Sequence, residues 1–238
     1  MNKEIHDTIE LLKTTGIRGC ITGSSMLDAD FDTWAETPDV DVFVFSAEQL
    51  VYAIDMLEFK YGFRPLSDGE EWKIERIRWK GIQKNASLQT VKMVGPQEVC
   101  VNLTWKYGKT TLADVLASFD MTIIMKGYDI RNGYTLDLTD VCGNKRVASP
   151  NPMREQDCDM YGVEMWVRQF SRVIKYWNRG FDTRPMAQFY IELINGVLEK
   201  GQLFNTEKSE NVYREFVETY EPLRDKMVQW LKAKEEAM

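Results

Sequence analysis

The stretch I-R-G-C-I-T-G-S-S-M-L, residues 17–27, and the stretch D-V-D-V-F-V-F, residues 39–45, together decide the fold. The first reads as a short apolar strand that ends at Gly23, and the second as a longer apolar strand that contains two acids. Side chains two positions apart on a strand point to the same side. Asp39 and Asp41 therefore project together from one face, whereas the valines between and after them fill the other face.

Two carboxylates side by side repel each other, and they stay ionised together only when a cation shares their charge. A hard divalent ion such as Mg²⁺, held by carboxylate oxygens, removes that conflict. The alternative is a solvated strand face. Exposed strands seldom place two acids inside so apolar a run, which favours a metal site at Asp39 and Asp41.

A Gly-Ser pair, a spacer and then Asp-x-Asp in an apolar strand resemble the signature of the DNA polymerase β-like nucleotidyltransferase superfamily. The resemblance implies that Gly23 and Ser24, with Ser25, open a helix whose backbone N–H groups hold a triphosphate. It also implies that Asp39 and Asp41 bind two divalent metal ions, Mg²⁺ or Mn²⁺.

The match covers residues 19–45, and the spacer between its two halves is long and acidic. The acids of residues 28–39 also fall near the ligand positions of a calcium-binding loop. Thr33 stands where that loop needs glycine, and a β-branched strand follows where a helix is required. We therefore expect an acidic surface loop over this spacer.

The superfamily carries a third carboxylate on a later strand, where it helps to bind the catalytic metal and takes the proton from the attacking hydroxyl. Asp120 is our candidate, because it stands at the head of an apolar run, residues 119–125, that reads as a strand. Two alternatives remain. Asp120 can instead bond to nearby backbone, or the strand V-N-L-T can supply the position, which places Asn102 there. Since Asn cannot act as a base, that alignment implies a damaged enzyme.

Composition restricts the class of protein. The chain has 238 residues, 44% of them hydrophobic, with a formal net charge of −7 and a pI of about 5.0. This charge argues against a broad non-specific nucleic-acid binder but allows a local basic patch. Four cysteines without C-x-x-C spacing predict free thiols in a reducing cytosol. A polar N-terminus and the lack of a long apolar run predict a cytoplasmic protein without signal peptide or membrane span.

The pattern of elements predicts an α+β fold. Residues 1–150 are expected to form a catalytic domain with a mixed β-sheet and flanking helices, and residues 151–238 an all-helical domain, with a boundary at Pro150-Asn151-Pro152. Residues 63–81 fit a strand and a helix equally well. The other expected elements are a helix over 3–14, a strand over 19–22, a short helix capped by Ser24 or Ser25, a helix over 46–61 capped by Ser46, a hairpin of 88–94 with 99–105, a helix capped by Thr110 or Thr111, a strand beginning at 119–125 paired with 134–138, and helices over 155–179, 185–200 and 209–237.

The first helix of the second domain carries two stripes. An aromatic stripe is expected to face the core, and a basic stripe is offset from it by roughly 200°, on the opposite face. The basic stripe either solvates the helix or meets the phosphates of a nucleotide or RNA. We favour phosphate contact for Arg172 and Lys175. The stretch K-Y-W-N-R-G-F, residues 175–181, is similar to the helical domain of viral-type members of the superfamily. The basic stripe consists of Arg168, Arg172, Lys175 and Arg179.

The sequence thus predicts a two-metal nucleotidyltransferase that moves a nucleoside monophosphate from an NTP to a hydroxyl and releases pyrophosphate. The acceptor can be RNA, a protein or a small molecule. The alternative is an inactive module of the same fold that binds nucleotide, RNA or a protein partner.

Overall fold

The computed structural model describes residues 3–27, 39–83, 85–154, 160–200 and 207–236. The acidic loop predicted over residues 28–38 and the start of the helix predicted at residue 155 lie outside this part. The chain divides into two compact units. One comprises Met1–Phe119 with Ile123–Val141, and the other Asp120–Thr122 with Cys142–Met238.

A seven-stranded mixed sheet is the centre of the first unit in the part described. Its strand order is β3-β4-β5-β2-β1-β6-β7, in which β2 and β5 run parallel and the other neighbours run antiparallel. The predicted α+β class, with a mixed sheet and C-terminal helices, is confirmed. The strands are β1 (Gly19–Thr22), β2 (Asp39–Val44), β3 (Arg64–Pro65), β4 (Leu88–Val94), β5 (Cys100–Lys106), β6 (Lys126–Asp129) and β7 (Tyr134–Asp137).

Three of the four α-helices described in the first unit begin where a side chain caps their free N–H groups. Ser46 accepts a hydrogen bond from the Gln49 backbone at 3.2 Å, and Thr111 forms a reciprocal capping box with Asp114. Ser67 starts the helix over the stretch that the sequence left ambiguous. These helices are α1 (Lys3–Lys13), α2 (Ala47–Asp55), which continues as one π-helical turn (Met56–Lys60), α3 (Asp68–Lys80) and α4 (Leu112–Ala117).

The sheet packs differently on its two faces. Val40, Val42 and Val44 point into a large core that also contains Ile and Leu side chains of α1, α2 and α3. A smaller cluster on the other face joins Cys20 to three side chains of α4. Since Asp39 and Asp41 alternate with the core valines, they lie on the face that carries the smaller cluster.

Two local predictions, for the short helix after β1 and for the strand expected from residue 119, were wrong. The short helix after β1 is a 3₁₀ turn that begins at Gly23, so Ser24 and Ser25 lie inside it, and the Ser25 hydroxyl donates to the Thr22 carbonyl at 2.8 Å. The strand expected from residue 119 begins only at Lys126. The apolar residues before it are buried without alternation, which a 3₁₀ turn over residues 122–124 permits and a one-sided strand does not.

The second unit is helical in the part described. Trp177 and Phe170 both pack edge-on against Trp230, with centroid distances of 5.5 Å and 6.1 Å, and Trp166 is 2% exposed. No described helix is both long and apolar enough to cross a membrane. The helices are α5 (Met160–Val167), α6 (Phe170–Asn178), α7 (Arg184–Lys200) and α8 (Glu207–Glu236).

The single helix predicted up to residue 179 is wrong, because the chain breaks between α5 and α6 at Arg168-Gln169. At the break, the Gln169 N–H donates to the Trp166 carbonyl at 3.1 Å, which tightens the turn. The basic stripe does not form one solvated face. Arg179 is 8% exposed and Arg172 contacts a buried acid, whereas Arg168 pairs with Glu164 on the surface.

Candidate active site

The aspartate pair lies at the start of β2, on one face of the sheet. Asp39 and Asp41 are half-buried, and the valines that alternate with them are buried. β5 runs parallel to β2 with Asp41 opposite Asn102, and side chains directly opposite each other on neighbouring strands share a face. The pair and the amide therefore form one cluster.

Asn102 connects the two carboxylates. Its Nδ2 donates to Asp39 Oδ2 at 2.7 Å and to Asp41 Oδ1 at 2.9 Å, and the residue is 9% exposed. An ionised carboxylate only accepts, so both amide hydrogens are used in these bonds. In the alternative alignment, Asn102 takes the place of the third carboxylate. The residue found there is thus a neutral hydrogen-bond donor, which offsets part of the repulsion between Asp39 and Asp41.

Gly23 leaves the approach to this cluster open. Its φ is +75°, a conformation that other L-residues adopt at a cost, and a Cβ at this position would stand 2.4 Å from Asp41 Oδ2. Glycine is therefore required for the turn and for the space beside Asp41. That space lies where the superfamily resemblance predicts a close approach of phosphate.

Two serines follow in the same 3₁₀ turn. Ser24 is 6% exposed, and Ser25 is fully buried with its hydroxyl bonded to the Thr22 carbonyl. Among the described residues, the buried hydroxyl of Thr22 has no hydrogen-bond partner, although an unsatisfied buried polar group is costly. The turn therefore keeps at least one polar atom that its own residues do not satisfy.

Sequence reasoning missed Lys92, which belongs to the same row of side chains. On β4 it lies directly opposite Asn102, so it projects from the face of the aspartate pair. Lys92 is exposed, and its ammonium forms no ion pair among the described residues. Burial and then the charge of Asp39 raise the pKa of the nearby Cys100 thiol, whereas Lys92 acts in the opposite direction. The sequence signal that could have identified Lys92 is the presence of a lysine inside a predicted apolar strand, residues 88–94.

The donor set fits a divalent metal ion. Asp39 and Asp41 offer hard oxygens on one side of the sheet, the Asn102 amide can turn its oxygen towards an ion, and the absent Cβ at Gly23 leaves room. The part of the chain that the structure describes contains no group of three or more His, Cys, Asp or Glu side chains placed to hold a metal.

Asp120 belongs to the second unit, where it forms an ion pair with Arg172. Arg172 Nη1 donates to both carboxylate oxygens, at 2.8 Å and 3.0 Å, and Asp120 is 3% exposed. The Asp120 carbonyl also accepts from the Asn151 N–H at 3.0 Å. The predicted site residues thus form two sets: Gly23, Ser24, Ser25, Asp39 and Asp41 in the first unit, and Asp120, Arg172 and Lys175 in the second.

Two tyrosines complete the surroundings of this ion pair. Burial acts to lower the pKa of Arg172, but the charge of Asp120 and contact with Tyr176 outweigh it and raise that pKa. Burial raises the pKa of the Tyr190 phenol, and the charge of Asp120 adds to the rise. Arg172 therefore stays charged. Lys175, on the same helix, is exposed.

Comparison with known proteins finds similarity only to solved structures of low sequence identity. No family model matches the chain, and no curated protein matches it. Solved structures that resemble it include a CCA-adding enzyme of Thermotoga maritima complexed with tRNA (TM-score 0.47, 11% identity, 90% of this chain and 53% of that one), a tRNA-processing enzyme in an apo form (0.48, 14%, 88% and 56%), and a tRNA-processing enzyme with CTP (0.46, 16%, 92% and 56%).

The chain spans about half the length of these three proteins. Similarity at this level assigns neither an activity nor a site residue to this chain.

Proposed function

We propose that this chain is a metal-dependent nucleotidyltransferase of the polymerase β-like type, a minimal form with a C-terminal helical domain. It moves a nucleoside monophosphate from an NTP to a hydroxyl of RNA, protein or a small molecule, and it releases pyrophosphate. One observation carries the proposal: Asp39 and Asp41 lie together on one sheet face, beside a turn that only glycine at position 23 leaves open.

Each residue has a role in this proposal. Asp39 and Asp41 would hold Mg²⁺ or Mn²⁺, which when bound would lower the pKa of the acceptor hydroxyl and stabilise charge on the leaving phosphate. Gly23, Ser24 and Ser25 form the turn that the phosphates approach. Lys92 neutralises phosphate charge from the neighbouring strand.

The second unit contributes residues whose roles rest on the resemblance. Asp120 is proposed as the third carboxylate and proton acceptor, a role that requires it to exchange its ion pair with Arg172. Arg172 and Lys175 are proposed to contact phosphates. An arginine that alternates between a carboxylate and a phosphate would release Asp120 only when nucleotide is bound.

A second candidate function follows from Asn102. A neutral amide beside the aspartate pair supplies one carboxylate fewer than the superfamily pattern, and it cannot act as a base. The corresponding protein binds a metal-nucleotide complex without turning it over. Metal-dependent turnover separates the two candidates.

The test is a product analysis. The full chain is incubated with each of the four NTPs, with Mg²⁺ or Mn²⁺, and with RNA, protein and small-molecule acceptors, and the acceptors are weighed by mass spectrometry. Transfer adds to one acceptor class the mass of one nucleoside monophosphate less one water, and pyrophosphate is released. Nucleotide binding without any such product would instead support the non-catalytic candidate.

The variant Asn102→Asp tests whether the cluster binds metal. The new carboxylate cannot donate the two hydrogen bonds that Asn102 makes, and it repels Asp39 and Asp41. In EDTA the free energy of unfolding should therefore fall by about 1–3 kcal/mol. Mg²⁺ should restore that loss and bind the variant more tightly than the wild type. Thermal melting in EDTA and in Mg²⁺ measures both effects, with Asn85→Asp, at an exposed loop residue of the same unit, as the control. Equal melting of the variant in the two buffers would argue against a metal site.

A further inference from the structure

Thr22, the last residue of β1, carries a hydroxyl that its surroundings leave unused. The residue is fully buried, and its Oγ1 has no hydrogen-bond partner among the described residues. A hydroxyl enclosed in this way costs free energy, because it gives up its bonds to water and gains none in return. Such a group in a folded protein calls for a specific explanation, and a functional role is one of the common ones.

The adjoining turn does not use this hydroxyl. Thr22 stands at the N-cap of the 3₁₀ turn, where a threonine side chain usually accepts a hydrogen bond from a backbone N–H of the first turn. The Thr22 side chain accepts no such bond from the residues of this turn. Ser25 closes the turn instead, since its hydroxyl donates to the Thr22 carbonyl at 2.8 Å. The Thr22 hydroxyl is therefore not a capping group.

The sheet places Thr22 beside the aspartate pair. Thr22 and Asp41 lie directly opposite each other on β1 and β2, and the same row continues through Asn102 on β5 to Lys92 on β4. Side chains in such a row share one face of a sheet. The unused hydroxyl is therefore a neighbour of a carboxylate that we propose as a metal ligand.

Packing on the other side of β1 limits where the hydroxyl can point. β6 pairs with β1 there, and a Cβ added at Gly127 on β6 would stand 2.9 Å from Thr22 Cγ2 and 2.6 Å from a methyl group of Leu112. The methyl group of Thr22 therefore packs against Gly127. Since the methyl and the hydroxyl are both bonded to the same Cβ, the hydroxyl does not face β6.

Asn102 supplies a hydrogen bond to Asp41 in the structure as it stands. Its Nδ2 donates to Asp41 Oδ1 at 2.9 Å and to Asp39 Oδ2 at 2.7 Å. The same amide can bind a metal ion only through its oxygen, because its nitrogen is a donor. An Asn102 side chain that turns its oxygen to an ion therefore stops donating to the two carboxylates.

We infer that Thr22 is a positioning residue of the proposed metal site, whose hydroxyl donates to Asp41 in place of Asn102 when an ion is bound. The Cβ atoms of directly opposite residues lie about 5 Å apart, which one hydrogen bond between a hydroxyl and a carboxylate can span. Carboxylates that bind a metal are generally oriented by such a donor. The exchange satisfies the buried hydroxyl and keeps Asp41 oriented, while Thr22 itself touches neither the ion nor the nucleotide.

A metal ion at Asp39 and Asp41 belongs to the proposed function, on which this inference rests, so the experiment measures metal binding without nucleotide or acceptor. The full chain is titrated with Mn²⁺ alone, and the free ion is followed by electron paramagnetic resonance. Thermal melting in EDTA is measured on the same preparations. A failure of this inference and a failure of the proposed site then give different results.

Two variants of Thr22 and one control are compared with the wild type. Thr22→Val replaces the hydroxyl by a methyl group at nearly the same shape, and Thr22→Ser keeps the hydroxyl. Thr104→Val is the matched control, because Thr104 is also buried on this face of the sheet, two residues after Asn102. Its hydroxyl has a partner, the hydroxyl of Thr90 at 3.0 Å.

In EDTA, Thr22→Val should melt at the temperature of the wild type or above it, because no hydrogen bond is lost. Thr104→Val loses a hydrogen bond and should melt about 2–4 °C lower. Mn²⁺ should reverse this order of effects. Thr22→Val should bind the ion at least about tenfold more weakly than the wild type, whereas Thr22→Ser and Thr104→Val should bind it as the wild type does.

Mn²⁺ binding by the wild type that Thr22→Val retains in full would overturn this inference and leave the metal site in place. A melting loss of Thr22→Val in EDTA as large as that of Thr104→Val would also overturn it, because the hydroxyl would then have a partner in the metal-free protein. No Mn²⁺ binding by the wild type would overturn the inference together with the metal site.

Discussion

Replacing both aspartates of the pair, Asp39→Asn with Asp41→Asn, is expected to reduce nucleotide transfer at least roughly a thousandfold, because the charges that hold the metal ions are lost. The fold should stay intact. The new amide oxygens still accept the hydrogen bonds that Asn102 donates, and two clustered charges disappear. In EDTA, the free energy of unfolding should therefore be unchanged or slightly higher.

Pyrophosphate release and urea unfolding in EDTA measure the two effects on the same preparation. Asp7→Asn is a suitable control, since Asp7 is a surface acid of α1 paired with Lys3. The control should keep both the rate and the stability of the wild type. Unchanged turnover in the double variant would remove Asp39 and Asp41 from the catalytic site.

The second large effect concerns Arg172. Arg172→Ala leaves the carboxylate of Asp120 buried without its partner, and breaking a buried ion pair on one side costs about 3–5 kcal/mol of unfolding free energy. The sequence pattern placed Arg172 on the helix face opposite the aromatic core stripe, and the loss of a side chain on such a face would cost little stability. Urea denaturation of the variant decides between the two expectations.

Arg168→Ala is the matched control for this prediction. Arg168 lies one turn earlier and pairs with Glu164 on the surface, so its loss should cost at most about 1 kcal/mol. A loss for Arg172→Ala no larger than that of the control would mean that the Asp120 pair does not stabilise the second unit. Asp120→Asn separates a structural role from a catalytic one, because only a catalytic role lowers the transfer rate beyond what the loss of folded protein explains.

Features that depend on neighbours in sequence were predictable. The alternation of Asp39 and Asp41 with buried valines, the hairpin of β4 and β5, and the caps at Ser46 and Thr111 all follow from local periodicity and capping chemistry. The alternation alone places Asp39 and Asp41 on the face of β2 opposite its core valines, as the structure has them. That pair was the strongest signal in the sequence, because its chemistry and its geometry are both local.

Features that depend on distant contacts were missed or left open, and the sequence offered Asn102 beside the aspartate pair only as an alternative to Asp120. Asn102 reaches the aspartates only because β5 pairs with β2 in parallel, across 61 positions between Asn102 and Asp41. The Asp120–Arg172 pair likewise joins residues 52 apart. The break at Arg168-Gln169 contains neither Gly nor Pro, so no local residue announces it. In each case tertiary packing decides the result.

Nucleotidyl transfer at this site breaks the bond between the α- and β-phosphates of an NTP, and the position of a radioactive label tests this most directly. The wild type is incubated with Mg²⁺, the productive acceptor and NTP labelled either at the α- or at the γ-phosphate. We predict that the α-label enters the acceptor and the γ-label leaves as pyrophosphate. Release of the γ-label as inorganic phosphate, or its transfer to the acceptor, would contradict nucleotidyl transfer.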